Sequence, residues 1–266
     1  MKTALTISAS DSCGGAGIQG DLKTFSVLGV HGMSAVTAIY AQNTLGIHDR
    51  FDLDPELVRK QIDHSAGDIE VEACKTGVLV NLKIVDAVEE AIKRNKLLKY
   101  VCDPQILSRT GDRLLTEDAV AALVKKLLPL ATVVTPDPSE AATLTGFSKD
   151  RLDTVQAARD AARRLVEMGA KAAIVKSIPS GDQTIDVFFD GKEFLEFAGK
   201  TQPKEKSHGS GSVFSAAITA GLANGKTLIE AIDLAKNVVT MAIQYSDGQG
   251  RGTSPVNVLA FAPKKK

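Results

Sequence analysis

The chain has 266 residues, long for one domain but within the reach of a single α/β domain. Hydrophobic residues make up 44% and charged residues 24%, and the formal net charge is zero, so nothing suggests an electrostatic grip on nucleic acid or an anionic membrane. The three cysteines (Cys13, Cys74, Cys102) are far apart and lack zinc spacing, which points to reduced thiols and a cytoplasmic location.

In chain order, the first residues are too soon broken for a signal peptide, and no apolar run approaches membrane-spanning length. Residues 4–8, 34–41, 73–79, 100–102, 132–135 and 172–176 read as buried strands with helical patterns between them. Asp54 and Pro55 are a cap and a first-turn proline. Leu82, Val85, Val88 and Ile92 keep one helical face apolar. Asp153 and Gln156 predict a capping box before 157–168, which Gly169 ends, and Thr227 with Glu230 predicts another. Behind it Leu228, Ala231, Ile232, Ala235, Val238, Val239 and Ala242 form a core stripe. Residues 184–190 and 193–199 flank Asp190-Gly191, a hairpin turn signal, and this antiparallel piece is expected at the sheet edge or over the site. The terminal Lys264-Lys265-Lys266 reads as a solvated tail.

Such alternation predicts a three-layer α/β/α sandwich around a mostly parallel central sheet with an antiparallel edge hairpin. Without a repeat or linker, 1–266 reads as one domain. Ligands gather at the carboxyl ends of such strands. Polar groups recur there: residues 10–17 after the first strand, Gln42-Asn43-Thr44 after the second, Lys75-Thr76-Gly77 late in the third. Asp103-Pro104, then 136–140, then Lys176 follow. Most telling is His208-Gly209-Ser210-Gly211-Ser212, a glycine-rich turn running into an alanine-rich helical pattern. Its amides and the positive end of the helix dipole suit an anion such as phosphate. Gly14, Gly15 and Gly17 also look like a phosphate loop, but no Gly-Lys-Ser/Thr ending follows them.

From residue 4 to residue 257 these motifs fall in an order that resembles the hydroxymethylpyrimidine/phosphomethylpyrimidine kinases of the ribokinase-like superfamily. The carrying stretches are Ser10-Asp11-Ser12, Gly14-Gly15-Ala16-Gly17-Ile18-Gln19, Asp21-Leu22-Lys23-Thr24-Phe25 and Ala41-Gln42-Asn43-Thr44. Lys75-Thr76-Gly77, Asp103-Pro104, Thr135-Pro136, Glu140-Ala141, Val175-Lys176 and His208-Gly209 with Gly211 complete them. The resemblance implies a ribokinase-like fold, ATP with Mg2+ as cofactors, and an aminopyrimidine alcohol and its monophosphate as phosphoryl acceptors in thiamine diphosphate synthesis. A homodimer is left open.

The same resemblance assigns roles. Gln42 binds the pyrimidine, its amide offering a donor and an acceptor side by side. Asp21 hydrogen-bonds the substrate hydroxyl or amine, and the glycines at 14, 15 and 17 let their loop pack over the ring. Asp103 and Glu140 are the magnesium-side carboxylates, reaching the ion partly through water. Lys176 holds nucleotide phosphate, and the amides from Gly209 through Ser210 and Gly211 to Ser212 hold the transferred phosphoryl group. His31, His48 and His64 read as ordinary polar positions.

Several residues depart from the family pattern. Ser212 stands where the family has cysteine and the wider superfamily aspartate. Asp137 replaces asparagine, which adds charge near the metal and nucleotide. Gln105 replaces valine, Ser177-Ile178 a glycine pair, and Ala9 a glycine beside the substrate loop. Two alternatives therefore stay open: a pyridoxal-type kinase, and a catalytically impaired pyrimidine- or nucleotide-binding protein.

Overall fold

The computed structural model describes residues 1–108, 111–148 and 152–262; the lysines at 264–266 lie outside the described residues. Nine strands form one sheet: β1 (Lys2–Asp11), β2 (Val30–Asn43), β3 (Gly46–Asp52), β4 (Ala73–Thr76), β5 (Tyr100–Cys102), β6 (Val133–Val134), β7 (Ala173–Ser180), β8 (Gln183–Phe189) and β9 (Phe194–Lys200). Their order is β3-β2-β1-β4-β5-β6-β7-β8-β9. The six strands from β2 to β7 run parallel, while β3, β8 and β9 pair antiparallel.

Side chains alternate across each strand, so the parallel strands need cover on both faces. Along β1, Leu5, Ile7 and Ala9 enter one core and Ala4 the other. The first core is closed by α2 (Pro55–Asp68), α3 (Leu82–Arg94), α4 (Glu117–Ala122), α5 (Pro138–Thr145) and α6 (Val155–Glu167). The second is closed by α1 (Gly17–Val27), α7 (Ser210–Ala223) and α8 (Leu228–Gln244). This is the expected three-layer α/β/α arrangement. α7 is buried on all sides from Ser212 to Ala223, which explains its alanine-rich, nearly all-apolar sequence.

The expected hairpin forms at one edge, where Asp190 Oδ1 accepts from the amides of Lys192 and Glu193 at 2.9 Å. The opposite edge also ends antiparallel, which the sequence reading did not anticipate: β3 is largely polar and mostly exposed, so it carries no apolar alternation. The strand expected at 73–79 leaves the ladder after Thr76.

Asp54 caps α2, and Thr227 with Glu230 forms the capping box of α8, both as expected. The Asp153–Gln156 box does not form. Thr154 caps α6 instead, its hydroxyl accepting from the Ala157 amide at 3.2 Å, while Gln156 Nε2 donates to Asp160 at 3.1 Å. Thr154→Ala should therefore lower stability by about 1 kcal/mol, and Asp153→Ala by less than about 0.5 kcal/mol. Urea unfolding of the two variants measures the difference.

Candidate active site

A cleft of about 900 Å3 crosses the carboxyl ends of the parallel strands. Gln42 on β2, Ala9 on β1, Asp103 after β5, Asp137 after β6 and Lys176 on β7 all line it, so it runs across most of the sheet. Three of these residues lie where strand register breaks: between Ser8 and Ser10, between Ala41 and Gln42, and between Val175 and Ile178. A register break bends its strand and re-aims a side chain, and such breaks favour places next to active sites.

Two glycine turns interlock beneath the cleft. Gly209 has φ of 85°, and a Cβ there would lie 1.8 Å from the Gly15 carbonyl oxygen. A Cβ on Gly15 would meet the His208 ring at 2.4 Å, and one on Gly17 the Ala9 carbonyl at 2.2 Å. These glycines thus serve loop-on-loop packing, and of the three expected to cover a ring only Gly17 faces the cleft. Asp11 holds the arrangement: its carboxylate accepts from the amides of Cys13, Gly15 and Ala16 and pairs with His208 Nε2 at 2.9 Å. Burial alone would raise the Asp11 carboxyl, but hydrogen bonds from His208 and the Ala16 amide outweigh it and hold it below the usual carboxylate range.

A late segment ties both turns together. The amides of Arg251 and Gly252 donate to Thr44 Oγ1 at 3.1 Å, and Thr253 N donates to Thr44 O at 3.0 Å. His208 N donates to Ser254 O, and Val256 N to His208 O, both at 3.0 Å.

The amides of Gly211 and Ser212 lie in the first turn of α7, ahead of the first ladder bond from Val213 N to Gly209 O. A Cβ on Gly211 would be 3.7 Å from Lys176 Nζ, so this ammonium overlooks the positive end of the helix dipole. Burial disfavours the Lys176 charge, but Asp103, Glu140, Asp137 and Asp186 outweigh it and raise its proton affinity.

Asp103 is buried, its Oδ1 lying 3.6 Å from Lys176 Nζ and its Oδ2 accepting from Ser215 Oγ at 2.8 Å and Gln105 Nε2 at 2.9 Å. Gln105, one of the departures, thus braces the acidic group beside it. Glu140 forms a capping box with Asp137, and its Oε1 also accepts from Ile106 N at 3.1 Å. Asp137 therefore caps α5, a task asparagine performs equally well. Burial, then the charge of Asp137, pushes the Glu140 carboxyl up to about 8, with Lys176 pulling the other way.

Asp21 lies elsewhere than expected. It is fully buried and absent from the cleft lining, so direct contact with a substrate is corrected. Its carboxylate accepts from Thr6 Oγ1, from Lys75 Nζ at 2.7 Å and from Ser212 Oγ at 2.8 Å. Ser212 does line the cleft, with its hydroxyl turned inward onto Asp21.

Gln42 is half-buried on the cleft wall; its main chain is fixed by Ser12 Oγ, which pairs with both its N and its O at 2.8 Å. Tyr40, two residues earlier on the same strand face, also lines the cleft with a buried hydroxyl beside Arg50. The sequence reading also missed the pair Lys236–Asp186, at 2.7 Å on the β8 side of the cleft. Its signal was a lysine sharing a helical face with apolar Ile232 and Val239. Asp186 also accepts from Ser177 N at 2.7 Å, anchoring a serine whose φ of 61° favours the glycine of the family pattern.

The family model described as phosphomethylpyrimidine kinase matches residues 11–257. The hydroxymethylpyrimidine/phosphomethylpyrimidine kinase of Rhizobium meliloti is 44% identical, with 94% of each chain covered. That of Bacillus subtilis is 40% identical, with 97% of this chain and 95% of the relative covered. Among solved structures, Staphylococcus aureus pyridoxal kinase in complex with ADP is similar with a TM-score of 0.91 at 34% identity, over 100% of this chain and 96% of that one.

The raised Glu140 carboxyl has a thermodynamic signature. As pH rises above its ordinary value near 4.5, the unfolded chain releases this proton while the folded chain keeps it until about 8. The group therefore makes the folded state lose stability across that window as pH rises. Glu140→Gln can keep the capping box but gives up the bond from Ile106 N, and it should remove this pH-dependent loss. Between pH 5 and pH 8.5, without added metal, the melting temperature of the parent should fall more than that of the variant.

Proposed function

Because the chain belongs to the phosphomethylpyrimidine kinase family and is a kinase, we propose that it moves the terminal phosphoryl group of ATP onto 4-amino-5-hydroxymethyl-2-methylpyrimidine and then onto its monophosphate, in thiamine diphosphate synthesis. One observation carries this reading: Gln42 and the first turn of α7 open onto the same cleft, with Lys176 beside the turn. A ring held at Gln42 can thus present its alcohol to a phosphoryl group held at Gly211 and Ser212.

Each group has a task in that scheme. The Gln42 amide pairs with a ring nitrogen and the exocyclic amine. Lys176 and the amides of Gly211 and Ser212 oppose the charge that spreads over the phosphoryl oxygens. The oxygen-only set of Asp103 and Glu140, with Asp137 alongside, suits magnesium held largely through water. Magnesium, when bound, neutralises charge on the nucleotide phosphates. Glu140, which burial otherwise holds protonated near neutral pH, would hold the ion as a carboxylate.

The likeness to a pyridoxal kinase supports a second reading, with pyridoxal as acceptor. Ala9 and Gln105 both line the cleft and differ from the family pattern, so they are the residues that would reshape it.

ADP release by purified protein with ATP and magnesium, offered the pyrimidine alcohol, its monophosphate or pyridoxal separately, decides between these. The pyrimidines should turn over; a clear preference for pyridoxal would move the substrate assignment. Gln42→Ala removes two hydrogen bonds to the ring and should lower kcat/KM for the pyrimidine by about 10- to 100-fold, with KM for ATP unchanged.

A further inference from the structure

A serine hydroxyl is a poor base, yet Ser212 is the hydroxyl that meets both the cleft and a buried carboxylate. We propose that Ser212 relays a proton from the acceptor alcohol to Asp21, so that Asp21 is the terminal proton acceptor although it never touches the substrate. The proposal rests on the phosphoryl-transfer reading above.

The geometry supports each link. Ser212 Oγ donates its single proton to Asp21 Oδ1 at 2.8 Å, and its lone pairs remain to accept from a hydroxyl in the cleft. Asp21 is 0% exposed, so Ser212 is its route to the cleft. Lys75 and Thr6 fix the carboxylate from behind.

The step balances in atoms and charge. The acceptor oxygen forms its bond to the γ-phosphorus as its O–H bond breaks, and that proton passes to Ser212 Oγ. The proton already on Ser212 passes to Asp21. The bond from the γ-phosphorus to the bridging oxygen breaks, and its electron pair leaves with the nucleoside diphosphate. Removing the partner of a buried cation is ordinarily costly. Here Lys75 Nζ also lies 3.9 Å from Asp103 Oδ2, so it keeps an anionic neighbour when Asp21 becomes neutral. Once product has left, Ser212 gives its proton to water in the cleft as Asp21 returns one to Ser212 Oγ, which resets the pair.

The test combines three variants with isotope measurements on the parent. Ser212→Ala and Asp21→Asn should each lower kcat by about 10²–10⁴-fold, the usual range for a lost acid–base group, while KM for the pyrimidine stays within about threefold. Together they should cost no more than the worse single change, since both interrupt one path. Ser212→Cys supplies a thiol with an ordinary pKa of about 8.5 that can accept the proton itself, so its rate should be insensitive to Asp21→Asn. In mixtures of H2O and D2O the parent rate should curve as for two protons in flight, and that of Ser212→Cys should be linear. If Asp21→Asn does not fold, the Ser212 variants and the isotope curves still decide. Turnover by Ser212→Ala within about threefold of the parent, or a linear isotope plot for the parent, overturns the relay alone. No turnover by the parent overturns the substrate reading and the relay together.

Discussion

The oxygen of Gly15 occupies the space in which any side chain at position 209 would begin. That contact joins the turn before α1 to the turn before α7, and Asp11 locks it from below by gripping its own loop and His208 at once. The amino ends of two helices are thereby held side by side, with the ring wall on β2 to one side and Lys176 on β7 to the other. A looser junction would let the phosphate end drift from the ring end, and positioning is most of what phosphoryl transfer asks of a protein.

The second constraint is electrostatic. Beneath the cleft Lys75, Asp21 and Asp103 lie almost wholly out of water, with Lys176 and Glu140 close by. Charges so buried are tolerable only when paired and hydrogen-bonded. The polar side chains of α7 supply that: Ser212 serves Asp21 and Ser215 serves Asp103. An otherwise apolar helix thus carries a short polar face toward the sheet. Glu140 marks the limit of the arrangement: burial first, and then the negative charges of Asp137 and Asp103, push its carboxyl up to about 8 and leave it protonated near neutral pH.

Much of this was legible in the sequence because it is local. Strands betray themselves by apolar runs, and of the polar residues at their carboxyl ends Gln42, Asp103, Asp137 and Lys176 fall on the cleft wall, while Lys75 is buried beneath it. The turn at 208–212 announces itself through its glycines. What stayed hidden depends on partners distant in the chain. The inward aim of Asp21 is set by Lys75 and Ser212, and the helical pattern around it says nothing of either. Likewise β3 forms because β2 offers an edge, and the partner of Lys236, Asp186, lies on another element. The cap of α6 shows the opposite failure: Asp153 met the local rule, and the backbone path put Thr154 at the cap instead.

The tie made by residues 251–256 bears on the order of synthesis. Every strand and helix around the cleft precedes these residues in the chain, yet they bond directly to both Thr44 and His208. On the ribosome both helical layers can therefore assemble while the mouth of the cleft still lacks its clasp. The clasp and the last part of the second core then close together, because Val256 and Val258 belong to that core.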